Sequence, residues 1–191
     1  MSFLIAFKED DKIHLLSNIT VDDDGLELNL ENESSDLIWI SKEDPKLILG
    51  NYGYRREANI LKTTNLTNNE NKELTIEYLN NTLAKNIINT IIEKERHEVK
   101  NKVGLRSRTI VAKDDKAFLI DFNGALMEID DYYVLGQDRD LLYGIVGATE
   151  GLKGLDRINK IIDGYKRATR KEVSKYSYIN TKDMIKKKIV K

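Results

Sequence analysis

Hydrophobic and polar residues follow two rhythms along this chain, one of period two and one of three to four. The first apolar runs, Phe3-Leu4-Ile5-Ala6-Phe7 and Ile13-His14-Leu15-Leu16, flank the polar Asp10-Asp11 and predict a buried hairpin at the very start. Chain ends are commonly loose, so a buried hairpin there is expected when the end itself belongs inside the fold. Leu26-Glu27-Leu28-Asn29-Leu30 alternates strictly, the pattern of a half-buried strand. Leu37-Ile38-Trp39-Ile40 predicts another, and Pro45, the only proline, falls in the turn before Leu47.

Residues 63–72 are polar and Asn-rich, a surface loop. Leu74, Tyr78, Leu79, Leu83, Ile87, Ile88, Ile91 and Ile92 then recur three and four apart, which predicts an amphipathic helix of about six turns. Residues 109–129 read as three strands, the last two joined around Asn123-Gly124, where both residues tolerate positive φ. Two helices follow, one marked by Leu141, Leu142, Ile145, Val146 and Thr149, the other by Leu155, Ile158, Ile161, Ile162, Tyr165 and Ala168. Gly151 and Gly154 punctuate the junction, and residues 176–183 form the last strand. Two sheets of mostly antiparallel strands with helices outside both would bury every one of these stripes, an α+β fold. The expected organisation is one domain over residues 1–183 and a basic tail over 184–191.

Charge narrows the partners. The chain has 31 basic and 32 acidic residues and a net charge of −1, so no global pull towards nucleic acid or membrane is implied. The tail's Lys186-Lys187-Lys188 lacks interleaved aromatics, and no nucleic-acid partner is expected. With no cysteine, disulfides and thiol chemistry are excluded, which fits a reducing compartment. No apolar run approaches the ~20 residues of a spanning helix and no signal peptide opens the chain, so a soluble, cytoplasmic protein is expected.

Few residues suggest ligand chemistry. Asp22-Asp23-Asp24-Gly25 offers oxygen ligands but lacks the alternation of calcium loops, and reads as a solvated turn. The two histidines, His14 and His97, are far apart, which argues against a histidine metal site. No metal or cofactor is expected. Trp39 reads as core or subunit-contact packing rather than the wall of a ligand pocket. Ser2 differs from these. Removal of Met1 would give it a free α-amine, and an amine with a pKa near ~8 can serve as base for its own residue's hydroxyl.

The opening hairpin, the Leu47-to-Gly53 strand and turn entering the helix at Arg55, the run from Thr109 through Glu128 to Gly136, and the closing 176–183 strand together resemble the proteasome β-type and HslV-type peptidases. These are N-terminal-nucleophile hydrolases. The resemblance spans nearly the whole chain and implies a four-layer αββα sandwich. It also implies a homo-oligomeric ring, with the helices around 79–92 and 141–149 as candidate contacts, and an ATPase or other protein partner.

Carried over residue by residue, the resemblance places Ser2 at the attacking position and Asn18 where the family has an aspartate. Asparagine keeps the shape and loses the charge. The family's lysine should fall within Ser34, Ser35, Asp36 and Leu37, none of them lysine, with Lys42 in the following turn. A site without that cation loses electrostatic activation that ordinarily supplies a few kcal/mol. Gly53 matches the glycine whose N–H faces the developing oxyanion, although glycine there also simply permits a tight turn. The family's Gly-Ser-Gly loop appears as Gly136-Gln137-Asp138, and its late aspartate is replaced near Ser174-Lys175. The expectation is therefore a non-catalytic, proteasome-like subunit acting through assembly or partner binding, with Met1 retained. The second reading is a divergent serine-type peptidase or amidase with Ser2 as nucleophile, its amine as base and Gly53 as oxyanion donor. A cation within reach of Ser2, from Lys12, Lys42 or elsewhere, separates the two.

Overall fold

The computed structural model describes residues 2–18, 36–67, 72–94, 105–170 and 175–190, and the backbone of 22–23 and 26–27. The opening hairpin forms as its pattern predicts, from β1 (Phe3–Glu9) and β2 (Lys12–Asn18). Asp10 turns the corner at φ 54°, a conformation that a short polar side chain tolerates. Two further strands of the described chain, β3 (Asp22–Asp23) and β4 (Leu26–Glu27), pair as a small ribbon. The rest of the predicted 26–30 strand, and Asp24-Gly25 of the acidic turn, lie outside the described residues.

The remaining strands are β5 (Ile38–Ile40), β6 (Ile48–Tyr52), β7 (Arg108–Lys113), β8 (Lys116–Ile120), β9 (Leu126–Glu128), β10 (Tyr132–Gly136), β11 (Lys175–Asn180) and β12 (Lys187–Val190). One five-stranded sheet has the order β10-β1-β2-β11-β12 and the other β5-β6-β7-β8-β9. Each pairing is antiparallel. The Asn123-Gly124 turn joins β8 to β9, with Gly124 at φ 82°. Strand β12 was not expected: its lysines read as a charge run, yet it pairs with β11 through Tyr176↔Ile189. Exposed lysines are also what an edge strand needs to discourage further pairing.

Three buried clusters show how the layers meet. Leu4, Ala6, Ile13 and Leu15 of one sheet pack against Ile48, Ile110, Ala112 and Leu119 of the other. The opposite faces of β1 and β2 (Phe3, Ile5, Phe7, Leu16) are covered by Leu142 and Val146 of α4 (Arg139–Gly147) and by Ile158, Ile161 and Tyr165 of α5 (Gly154–Thr169). The outer face of the second sheet is covered by α1 (Arg55–Lys62) and by the helical stretch from Ile76 to Lys94. The result is an α+β sandwich of helices, sheet, sheet and helices.

That last stretch is not a uniform α-helix. Between α2 (Ile76–Tyr78) and α3 (Ala84–Lys94) it passes through a π-helical turn at Leu79–Leu83. Leu79, Leu83, Ile87 and Ile91 are all buried, and they are spaced by four. A spacing of four drifts around a helix of 3.6 residues per turn; a wider turn takes up the extra residue and keeps the stripe on the core. His97, beyond α3, lies outside the described residues.

Candidate functional site

The open end of the hairpin, opposite its turn, is where the sequence places chemistry. Ser2 is half-buried there. The alternation that sends Leu4 and Ala6 between the sheets assigns Ser2 to the same face. Phe3 points the other way, into an edge-to-face contact with Tyr165 at 5.0 Å and a tilted one with Tyr176 at 6.1 Å. The first strand is thereby anchored one residue from the candidate nucleophile.

Asn18 is brought to this end, and its side chain is already engaged: Oδ1 accepts the Phe3 N–H at 2.6 Å. Next to it, Ser17 pairs across the ladders with Leu4 on one side and Ser177 on the other. Ser177 Oγ donates to Asp36 Oδ1 at 3.2 Å, and the other Asp36 oxygen pairs with the Lys186 ammonium. Asp36 is 2% exposed. Within the window where the resemblance calls for a lysine, the described chain therefore holds a buried carboxylate. Its counter-ion arrives from residue 186, far along the chain.

The two lysines suggested by sequence lie elsewhere. Lys12 sits at the turn end of β2, 3.7 Å from Glu9 Oε1, and six residue steps along the strand put it about 20 Å from Asn18. Lys42 is exposed, beyond β5. Lys186 is the amine that sequence reasoning missed. It read as part of a charge run, and only the turn between β11 and β12 brings it back beneath Asp36.

Gly53 is fixed by sterics. It sits at φ 137°, and a Cβ there would lie 2.6 Å from the Arg106 carbonyl oxygen and 2.7 Å from Ser107 Cα. Gly136 meets the N-terminus closely: it pairs with Phe3, and a Cβ would lie 3.1 Å from the Ser2 carbonyl oxygen. In the loop that follows, Asp138 Oδ2 accepts the Tyr165 hydroxyl at 2.8 Å; burial first, and this carboxylate second, raise the Tyr165 phenol above its ordinary range. Ser174 lies outside the described residues, and Lys175 begins β11.

A serine hydroxyl becomes a nucleophile when a base takes its proton and a nearby positive charge favours its anion. The described groups at this end are hydroxyls, an amide, an Asp36–Lys186 ion pair and the Lys62 ammonium, which donates to the Asp36 carbonyl oxygen. The described histidine, His14, lies at the hairpin's other end, opposite Phe7 in the ladder.

Fold and site together define an α+β sandwich with its N-terminal strand built into one of two packed sheets. Among solved structures, the chain is similar to Thiobacillus denitrificans BPH in complex with epoxomicin, with a TM-score of 0.70, 11% identity, and 93% of this chain and 97% of that chain covered. It is also similar to Thiobacillus denitrificans BPH in a second structure, with a TM-score of 0.69, 9% identity, and 93% and 96% covered. The shared property is the fold. No family model matches the chain, and no curated protein matches it in sequence.

Proposed function

We propose that this chain is an HslV-like, proteasome-like subunit with the four-layer N-terminal-nucleophile hydrolase fold, acting through assembly and partner binding rather than amide hydrolysis. The observation that carries the reading is Asp36. A buried carboxylate, paired with Lys186 and Ser177, stands where the family's activating lysine is expected. A carboxylate raises the pKa of a neighbouring hydroxyl, whereas a lysine lowers it. Asn18 adds no charge, and its oxygen holds the Phe3 N–H.

The rival reading, a serine-type amide hydrolase that attacks through Ser2 after loss of Met1, draws support from one feature: Lys186 brings an ammonium to the Asp36 end. Intact-mass measurement on protein from its own host separates the two, with Met1 retained on the non-catalytic reading. The assembly half is tested by light scattering at micromolar concentration. A closed ring needs a heterologous interface on each subunit. The exposed Ile76, Ile92 and Leu141 on the outer helices are candidate contacts. Oligomers are the expected result; a species near 22.0 kDa alone would remove the assembly role.

A further inference from the structure

Between α1, the edge strand β5 and the segment entering β12 lies a cavity of about 470 Å³, a size common among small-molecule sites. Trp39 and Ile40 form its apolar wall, and Asn59 and Thr63 offer polar groups from α1 and its C-terminal end. The other described lining residues are Lys42, Lys62 and Lys186. Among the described residues, three lysines and no carboxylate face the space.

Two of these lysines are held in place. Lys62 Nζ donates to the Asp36 carbonyl oxygen at 2.6 Å and lies 5.3 Å from the centre of the Trp39 ring. Lys186 is paired with the Asp36 carboxylate. Arg55 adds positive charge near Lys62. Burial, and then Arg55, push the Lys62 ammonium down to about 8, so an arriving negative charge would relieve a cation that the fold disfavours. Anchored ammonium groups beside an indole face favour an anion with a hydrocarbon body over a fully hydrated anion or a cation.

We propose that this cavity binds a small amphiphilic carboxylate, with its hydrocarbon body against Trp39 and Ile40 and its carboxylate at Lys62 and Lys42. The site is independent of Ser2 chemistry and would stand whether or not the chain hydrolyses amides.

Trp39 is the only tryptophan, so its fluorescence reports occupancy of the cavity in the full-length chain. Octanoate, octanol and octylamine share one hydrocarbon body and differ in charge. Octanoate is expected to give a saturable change in Trp39 emission, with octanol about ten-fold weaker, equivalent to ~1.4 kcal/mol, and octylamine weaker still. Octanoate affinity should fall as pH rises past about 8, where Lys62 loses its proton. Lys62→Met, shown to be folded by circular dichroism, should weaken octanoate by about ten-fold and leave octanol unchanged. If that variant does not fold, the three-ligand comparison and the pH profile on the unaltered chain decide. Equal binding of octanol and octanoate, or no saturable change into the millimolar range, would overturn the proposal.

Discussion

The two ends of the opening hairpin are both polar and buried, but they are built differently. At the turn end, His14 is fully buried, stacked on Phe7 at 4.6 Å and near-parallel to Tyr178 at 5.7 Å. Asn180 Nδ2 donates to the Tyr178 hydroxyl at 2.7 Å, and that hydroxyl lies 3.0 Å from His14 Nδ1. Glu9 accepts the Gly154 N–H at 2.9 Å, and the Arg157 guanidinium lies 4.6 Å from the centre of the Phe7 ring. Burial above all pushes the His14 imidazole down to about 4, with Lys12 and Arg157 adding to the effect against Glu9 and Asp183. The open end, where the resemblance looks for catalysis, has among the described residues hydroxyls, an amide, the Asp36–Lys186 pair and the Lys62 ammonium on the Asp36 carbonyl. A perturbed histidine beside a carboxylate and a phenol marks an active site in many proteins. Here that constellation packs a hairpin turn, and the nucleophile candidate sits at the other end of the strand.

The largest test of this contrast is Phe7→Ala. It removes a fully buried ring that supports both His14 and Arg157 and should cost about 3–5 kcal/mol in denaturant unfolding. A loss below ~1 kcal/mol would mean that the Phe7 ring does not support the packing of the turn end.

Next in size is pH. The folded chain keeps His14 neutral down to about 4, while an unfolded histidine takes its proton near 6.5. The lowered folded pKa contributes stability that is present above 6.5 and lost as pH falls from 6.5 to about 4, of order 3 kcal/mol over that window. Thermal unfolding across that range should slope downward towards acid, and His14→Phe should flatten that limb. An unchanged slope in the variant would assign the effect to other groups.

A smaller effect is expected at the open end. Gly53→Ala must accept φ 137° and a Cβ against the Arg106 carbonyl, and should cost about 1–3 kcal/mol in unfolding measurements. Equal stability would show that the backbone at Gly53 accommodates a side chain, against the clash with the Arg106 carbonyl. The smallest effect belongs to Ser17→Ala. Ser17 is fully buried, and its hydroxyl has no hydrogen-bond partner among the described residues, so removal should be neutral or stabilising within about 1 kcal/mol. A clear loss would reveal a partner for that hydroxyl and a more organised site than the one described.

Much of the fold was legible because its stripes are local. The unbroken apolar run from Phe3 to Phe7, the Asn123-Gly124 turn, and the apolar spacing of α4 and α5 each lie within one element and carry their own signal. What escaped depends on distance. Strand β12 is polar in sequence and becomes a strand by pairing with β11. The π-turn was written as a spacing of four among Leu79, Leu83, Ile87 and Ile91, a signal that was available and went unread. At the site, sequence could show that residues 34–37 contain no lysine, but not that Asp36 would be buried and met by Lys186 and Ser177. Trp39 was read as packing, and its ring indeed joins the helix-side core; its other role, as a cavity wall, depends on Lys62 and Lys186, which approach from two other segments.

The central claim is that the Ser2 hydroxyl is not activated. The most direct measurement incubates the unaltered chain with epoxomicin, and separately with a serine-directed acylating probe, and locates any adduct by mass spectrometry. Asn18→Asp is included as a partner variant, because a carboxylate added without its cation raises the hydroxyl's pKa. The account predicts no adduct at Ser2 in either protein. An adduct on Ser2 of the unaltered chain, abolished by Ser2→Ala, would contradict it and make the protein an N-terminal-nucleophile enzyme.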